Sequence, residues 1–497
     1  MQTNRTMVMS SIMVATFLTA IEGTIVSTAM PKIASELHGL EYMNWVFAAY
    51  LLVSSVMVPI FGKLSDLFGR KGVFLTGIVL FLAGSTLCGF SQTMEQLIAF
   101  RVLQGIGAGA ILPVTTTIIA DIYPFEQRAK MIGFMGFVWG AAGIIGPLVG
   151  GFFVDHVTWH WIFFMNIPFG LISIVMIAVY LKGNNQKSKK KIDIAGALTF
   201  SAAMFALLYG VQRGSDLGQW TSPSVLMLFA AFIVFIALFI WIESKVSEPL
   251  IPLSLFRSRT ISVANGISFL VSCVLMGMIV YVPMWVQGVS GYGATASGLI
   301  LAPMAITWTA GSFICGKLLL SRSVRFISII GASMLLLSAI WLSTIQLASS
   351  QIYFYLISAL IGIGFGITLT LFTVTVQSAV QPTMRGVATA SNMFFRNMGQ
   401  TIGVSLLGSF FNSMVARHLA GHPAGSTVQA DKLNILVNPQ TAGQLPAVEQ
   451  TVLREVLVSG LHDIFLVLVV ITIIVLLSTS LVPVKAKSSQ AGKQIAS

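Results

Sequence analysis

Charge is what this chain has least of. Acidic and basic side chains make up 9% of it, against about 25% in a soluble globular domain. Together with 56% hydrophobic residues and a mean hydropathy of +0.89, this excludes a soluble fold. Acid is scarcer than base, with 16 Asp and Glu in 497 residues. Cysteine is nearly absent. Cys88, Cys273 and Cys315 each sit in an apolar run. They make no disulfide framework or thiolate metal site and read as small packing residues. The six histidines show no ligand spacing, and no phosphate-binding glycine loop is present. No metal and no cofactor is therefore expected. No nucleophile, base and orienting group mark an enzyme.

What is present is apolar length. A membrane span needs about 20 such residues. Fourteen runs qualify, at about 7–29, 44–63, 72–92, 96–120, 129–153, 160–181, 194–212, 224–243, 261–286, 295–319, 326–347, 351–377, 386–411 and 458–482. The first is too long for a signal-peptide core and is expected to persist as a span. The fold class is an all-α membrane protein, multi-pass in a cell membrane of bacterial cytoplasmic type.

The basic residues orient it. If the N-terminus is cytoplasmic, 21 of the 28 Lys and Arg lie in inside segments and five outside, with Arg101 and Arg396 within runs. That bias puts both termini inside. It also accounts for the net charge of +12 without a nucleic-acid partner. The run KSKKK at 187–191 reads as a topology anchor that touches anionic lipid. The longest polar segment, 412–457, lies outside, and its stretch AVEQTVLREVLVSGL is expected to lie along the membrane surface.

Two motifs carry a mechanical logic. Residues 62–71 read GKLSDLFGRK, in a short turn between the second and third spans. Gly62 and Gly69 permit a tight turn. Asp66 is suited to a neighbouring helix N-terminus, and Arg70 and Lys71 to nearby carboxylates. In GFVWGAAGIIGPLVGG, Gly136, Gly140, Gly143, Pro147 and Gly150 fall on one helical face, with Gly146 beside them. Small residues on one face let backbones approach closely, and Pro147 marks a bend. The face reads as close packing or as a seam on which two bodies rock.

GKLSDLFGRK resembles the signature loop of the major facilitator superfamily, departing from it at Leu67, where many members have a basic residue. LIAFRVLQGIGA at 97–108 is similar to the fourth-helix pattern of that family, and GFVWGAAGIIGPLVGG to its fifth-helix antiporter pattern. TAIEGTIVSTAMP at 19–31 and WHWIFFMNIPFG at 159–170 resemble the fourteen-helix drug/proton antiporter branch, which usually has Asp where Glu22 stands. GKLLLSRSVR at 316–325 resembles a decayed second copy of the loop, with Leu320 in place of the aspartate.

The resemblance implies two six-helix bundles around a central cavity, with two added helices between them. The expected organisation is 1–181 for the first bundle, 182–193 for a basic linker and 194–243 for the inserted pair. A linker at 244–260, a second bundle at 261–484 with outer loop 412–457, and a tail at 485–497 complete it. The resemblance also makes Asp121 a partner of Arg70 in a cytoplasmic latch, with Asp66 facing the thirteenth helix.

Charges inside spans are few and therefore informative. Glu22 is the one acidic residue deep in any run, and Arg101 falls at similar depth in the fourth. Burial disfavours the Glu22 charge and a nearby guanidinium favours it, a balance that conformation or a bound cation can tip. Glu22 is thus the candidate proton-coupling residue, with Asp463, beside His462 at the start of the last span, as runner-up. Gln104 and neighbouring carbonyls are alternative partners for Arg101. Asn392, Arg396 and Gln400 share a face of the thirteenth run. Tyr50, Trp139, Tyr281, Met284, Trp285, Met304, Trp308 and Phe372 lie in the candidate cavity helices and suit a broad apolar pocket.

The expectation is a monomeric, proton-coupled antiporter that exports hydrophobic, often cationic, drugs by alternating access. The alternatives are an exporter of one physiological solute (a lipid, metabolite or peptide) and a non-transporting membrane sensor or scaffold.

Overall fold

A computed structural model describes residues 4–37, 43–182, 193–217, 219–246, 249–292, 294–347, 349–422, 432–437 and 443–483. The basic run at 187–191 and the tail at 485–497 lie outside the described residues. No strand occurs among the described residues. That follows from the composition. In lipid every backbone N–H and C=O needs an internal partner, and a helix supplies it within one segment.

Fourteen long helices form the body. They are α1 (Arg5–Glu36), α2 (Met43–Phe68), α3 (Arg70–Gly89), α4 (Met94–Ile122), α5 (Phe125–His156) and α6 (Asn166–Tyr180), then α7 (Ile194–Leu217) and α8 (Pro223–Glu243). They continue with α9 (Arg259–Met284), α10 (Ala294–Leu319), α11 (Val324–Ser343), α12 (Gln351–Ser378), α13 (Arg385–Gly421) and α14 (Ala447–Ser478). A short turn, Trp161–Phe164, precedes α6, and a π-helical turn, Trp285–Val289, extends α9. Local chemistry sets several boundaries. The Thr93 side chain accepts from Gln96 N at the start of α4. Gly69, at φ 89°, turns the chain from α2 into α3, a conformation that favours glycine.

Thirteen described helices are long and apolar enough to cross a membrane. The one that falls short is α13, which carries Asn392, Arg396, Asn397 and Gln400. Its apolar content is low because protein surrounds it on several sides. It packs on α9 through Gly399 and Gly403, on α2 through Gly386 and Ala390, and on α14 through Phe411 and Val415.

Packing divides the long helices into groups. Val8, Phe74, Phe81, Ile111 and Val114 form a buried core within α1–α6, and Ile21, Ile25, Trp159 and Phe163 form a second one there. Ile267, Val271, Trp285, Phe365, Leu461 and Phe465 belong to one large core of α9–α14. The hairpin α7–α8 is added at the side. Phe200 and Phe239 reach Val56 and Val58 of α2 and Phe394 of α13. Leu226, Met227, Ile233, Val234 and Trp241 of α8 stay exposed, as befits a face turned to lipid.

The segment read as a surface-lying amphipathic stretch is instead the first part of α14, continuous with the last apolar run. Val452, Leu453, Val456 and Leu457 are buried in the α9–α14 core, so tertiary packing takes the apolar face that a membrane surface was expected to take. Likewise α13 runs on to Gly421, well past the expected end at 411.

Candidate functional site

Midway along α1, Glu22 has no exposed surface. Its Oε1 accepts from Arg101 Nη1 at 2.6 Å, and its Oε2 accepts from Asn166 Nδ2 at 3.1 Å. The fully buried Arg101 is held on further sides. Its Nη1 also donates to Gln104 Oε1 at 2.8 Å, its Nε donates to Val46 O at 3.1 Å, and its guanidinium lies 4.3 Å from the Tyr50 ring centre. Asn166 Nδ2 additionally reaches Ser85 Oγ at 2.9 Å. Five helices, α1, α2, α3, α4 and α6, therefore converge on one ion pair. Arg101 Nη2, Gln104 Nε2 and Asn166 Oδ1 have no hydrogen-bond partner among the described residues.

The arrangement has a chemical consequence. A buried ion pair gains Coulomb energy but loses hydration, so its net contribution is small while the loss of one partner is costly. Here Arg101 keeps Val46 O, Gln104 Oε1 and the Tyr50 face even when Glu22 is neutral. These three contacts on Arg101 do not depend on the charge of Glu22.

A second buried polar cluster lies across the molecule and carries no charge. Asn392 Nδ2 donates to Asn265 Oδ1 at 3.0 Å and Ser268 Oγ at 3.1 Å, and Asn265 Nδ2 donates to Ser391 Oγ at 3.1 Å. Thr373 Oγ1 donates to Asn392 Oδ1 at 3.4 Å. Farther along the same helix, Arg396 and Gln400 are half-buried, and no hydrogen bond or ion pair reaches either among the described residues.

The loop at 62–71 joins the two groups of helices at one end, here called the basic end. Asp66 accepts from Gly386 N at 3.0 Å and Val387 N at 2.8 Å, at the N-terminus of α13. Arg70 lies 2.6 Å from Asp66 and 3.1 Å from Asp121, and donates to Ser65 O at 2.6 Å and Pro382 O at 3.3 Å. Asp121 also meets Arg385 at 3.3 Å. Lys71 donates to Ala178 O at 2.6 Å, on α6 rather than across to the other group. Gly62 presses on Ala390 and Gly386, where a methyl group would not fit. In the decayed copy, Leu320 is exposed and Arg325 donates to Val482 O, at 2.8 Å, within its own group.

The glycine face of α5 meets α10 along part of its length. A Cβ added at Gly136 would strike Trp308, and one at Gly140 would strike Ala305. Gly133, which the sequence pattern did not single out, presses on Ser312 in the same way. The contact stops there. A Cβ at Gly143 would meet nothing within 4 Å, and Gly146 presses on Thr24 of α1 instead. Gly150 is buried, and the side chain of Pro147 lies outside the described residues. So α5 and α10 are zipped at the basic end and separate toward the other.

The aromatic and methionine candidates divide. Tyr50 is at the ion pair. Trp139 is 48% exposed. Trp308 lies in the seam against Gly136 and Phe365. Tyr281, Trp285, Met284, Met304 and Phe372 belong to the α9–α14 core, with Trp285 edge-on to His462 and Tyr281 against Phe411. These five lie in that core at different depths and are not among the residues that contact Glu22. Residue type marks them as large and apolar, but helix rotation decides what they face. Asp463 pairs with His418 at 2.7 Å, next in the chain to the His462 that meets Trp285.

Asn166 and Ser85 were missed in the sequence. Asn166 is the one amide in the run 160–181, a signal of the same kind that marked Glu22. Asp193 and Glu243, buried at the basic end of the α7–α8 hairpin, were also missed because they stand at the edges of apolar runs. Their carboxylates accept from Gly196 N at 2.8 Å and Leu250 N at 2.9 Å.

Residues 12–404 match the family described as the Major Facilitator Superfamily. The chain is 35% identical to a Bacillus subtilis protein named multidrug transporter protein MdtP, over 99% of this chain and 96% of that one. It is 36% identical to multidrug resistance protein 3 of the same organism, over 82% and 80% of the two chains. Among solved structures, the human organic anion transporter MFSD10 (TETRAN) superposes with a TM-score of 0.60, covering 95% of this chain and 100% of that one. At 12% identity, that likeness speaks to fold alone.

Proposed function

This chain belongs to the major facilitator superfamily, and from that premise we propose that it exports hydrophobic small molecules in exchange for protons, by alternating access. It is a multi-pass membrane transporter rather than an enzyme. The relatives named as multidrug transporters support export of foreign compounds over a housekeeping solute. The proposal includes fourteen spans, with α13 crossing inside the protein, and both termini on the cytoplasmic side, where the basic residues collect. It also includes two six-helix bundles, α1–α6 and α9–α14, rocking about the seams between them.

The observation that carries proton coupling is Glu22, the one carboxylate with no exposed surface among the described residues, tied to an arginine that retains other partners. In the proposed cycle the basic end is cytoplasmic and stands closed, fastened by Asp66, Arg70 and the zipped part of α5. A proton arriving from outside neutralises Glu22 and loosens α1 from α4. The latch then yields, the cavity opens inward, and loss of the proton to the cytoplasm restores the pair. Proton and substrate are coupled because each binds the two states unequally.

The test is Glu22→Gln, which keeps the shape and removes the charge and the titration. It is expected to leave expression intact and abolish efflux driven by a proton gradient. Full proton-driven efflux by this variant would overturn the reading.

A further inference from the structure

The charge that faces the transport path is positive, and we infer that Arg396, with Gln400, forms a headgroup site for amphiphiles bearing a single anionic group such as a carboxylate or sulfonate. The inference rests on the export reading above and names its substrate chemistry.

Glu22 presents no charge to a ligand. Both its oxygens are occupied, and no part of it is exposed. A cation entering between the helices meets no free carboxylate there.

Arg396 is placed differently. It lies eleven residues into α13, about 16 Å from the basic end at 1.5 Å per residue. That is near the middle of a hydrocarbon core about 30 Å thick. Its neighbours on the helix fix its direction. Asn392, one turn before, bonds to α9 and α12. The Met393 sulfur accepts from Thr116 of α4 at 3.6 Å. Gly399 and Gly403 press on α9. Residues at i−4, i−3 and i+3 share a face with Arg396. That face therefore looks between α4 on one side and α9 and α12 on the other, toward the junction of the two groups of helices and away from lipid.

No ion pair or hydrogen bond reaches Arg396 among the described residues. Arg101 shows what a buried guanidinium otherwise collects in this protein: a carboxylate, an amide oxygen, a backbone carbonyl and an aromatic face. A guanidinium held at this depth without a counter-charge is costly, and an anion that enters removes that cost. Its planar fork also suits the two oxygens of a carboxylate or sulfonate. Gln400, on the next turn of the same face, adds an amide donor beside it. The anionic group can belong to a foreign amphiphile or to an anionic lipid, since both present the same chemistry.

The experiment uses the full-length protein in liposomes of phosphatidylcholine, with and without phosphatidylglycerol. Three fluorescent probes share one anilinonaphthalene body: a sulfonate, its neutral sulfonamide and a trimethylammonium analogue. Equilibrium binding is read from probe fluorescence, separately from gradient-driven transport. The sulfonate is expected to bind tighter than the ammonium probe. Arg396→Gln is expected to lower the ratio of sulfonate to sulfonamide affinity about tenfold or more, the scale of a charged hydrogen bond. Arg396→Lys, which keeps the charge and loses the fork, is expected to fall between. Sulfonate binding in pure phosphatidylcholine that phosphatidylglycerol does not weaken assigns the site to the soluble amphiphile. Competition by phosphatidylglycerol assigns it to lipid and overturns the substrate claim. An unchanged ratio in Arg396→Gln, or equal binding of sulfonate and ammonium probes to the unaltered protein, also overturns it. Charge-selective binding without any proton-driven movement would instead leave this site standing and refute the export cycle.

Discussion

The two groups of six helices both bury polar side chains, yet they do so with different chemistry. In α1–α6 the centre is an ion pair, Glu22 with Arg101, braced by amides. In α9–α14 the cluster around Asn392 is neutral, and the guanidinium one turn along the same helix, Arg396, has no partner among the described residues. The loops repeat the contrast. Asp66 holds the start of α13, whereas Leu320 at the equivalent place holds nothing and stands exposed. One group thus carries the elements suited to titration and latching. The other offers a rigid neutral wall and an unspent cation. Similar backbones can divide labour in this way because the chemistry resides in a few buried side chains rather than in the fold.

The comparison can be broken most forcefully at the ion pair. Arg101→Met leaves the Glu22 carboxylate buried without its counter-charge and is expected to cost about 3–5 kcal/mol, read as a large fall in melting temperature in detergent. Asn392→Ala, the corresponding cut in the neutral cluster, removes uncharged bonds and should cost only about 1–2 kcal/mol. Equal losses would mean that the two centres are energetically alike. The double variant Glu22→Gln/Arg101→Met should recover most of the stability and none of the proton-driven efflux.

The loops come next. Asp66→Leu turns the first loop into its decayed copy and takes the acceptor from two N–H groups at the start of α13. It should cost about 2 kcal/mol and raise the hydrogen-exchange rate of the Gly386 and Val387 amides. Unchanged exchange there would show that the latch is held by Arg70 alone.

The seam gives a smaller and sharper contrast. Gly140→Ala drives a methyl group into Ala305, which should cost about 1–3 kcal/mol and slow transport. Gly143→Ala, one turn along, meets open space and is expected to be neutral or to stabilise by up to about 1 kcal/mol, since alanine favours a helix over glycine. Similar effects at the two sites would contradict the zipped and open portions of α5.

The smallest effect separates exposed charge from buried charge within α1 itself. Glu36 is held below the usual carboxylate range by its hydrogen bonds, first from Lys32 and then from Trp159 Nε1. A lowered value means its contribution to stability is present above about pH 4.5 and is lost as pH falls through the lower folded-state value. Because it is 44% exposed, Glu36→Gln should cost no more than a few tenths of a kcal/mol at pH 7 and less at pH 4. Melting curves at the two pH values check this.

Much of the architecture was legible in the sequence because lipid enforces length. Each of the fourteen apolar runs corresponds to a long helix, with the largest errors at the end of α13 and the start of α14 and smaller ones at the end of α1 and the start of α6. The latch residues stood out because a polar turn between two apolar runs has few neighbours to choose from. Direction was harder to read. In a soluble helix apolar periodicity shows which face is buried, but here lipid and core are both apolar and the stripe vanishes. Trp285 and Trp139 look alike in the sequence, yet one is 1% and the other 48% exposed. Only polar residues break that degeneracy. Glu22 and Arg101 were therefore visible, and Asn166 would have been had the same weight been given to amides.

The low hydropathy of α13 bears on how the chain is made. A helix carrying Asn392, Arg396, Asn397 and Gln400 is a poor client for a translocon that tests each segment against lipid. Although α14 follows it in the chain, most of its partners, the faces of α2, α9 and α12, precede it. By the time α13 leaves the ribosome they are in the bilayer, and they offer glycine-lined and amide-lined surfaces that lipid does not. The vectorial order of synthesis thus makes insertion of the least apolar helix a late assembly step, guided by protein already in place.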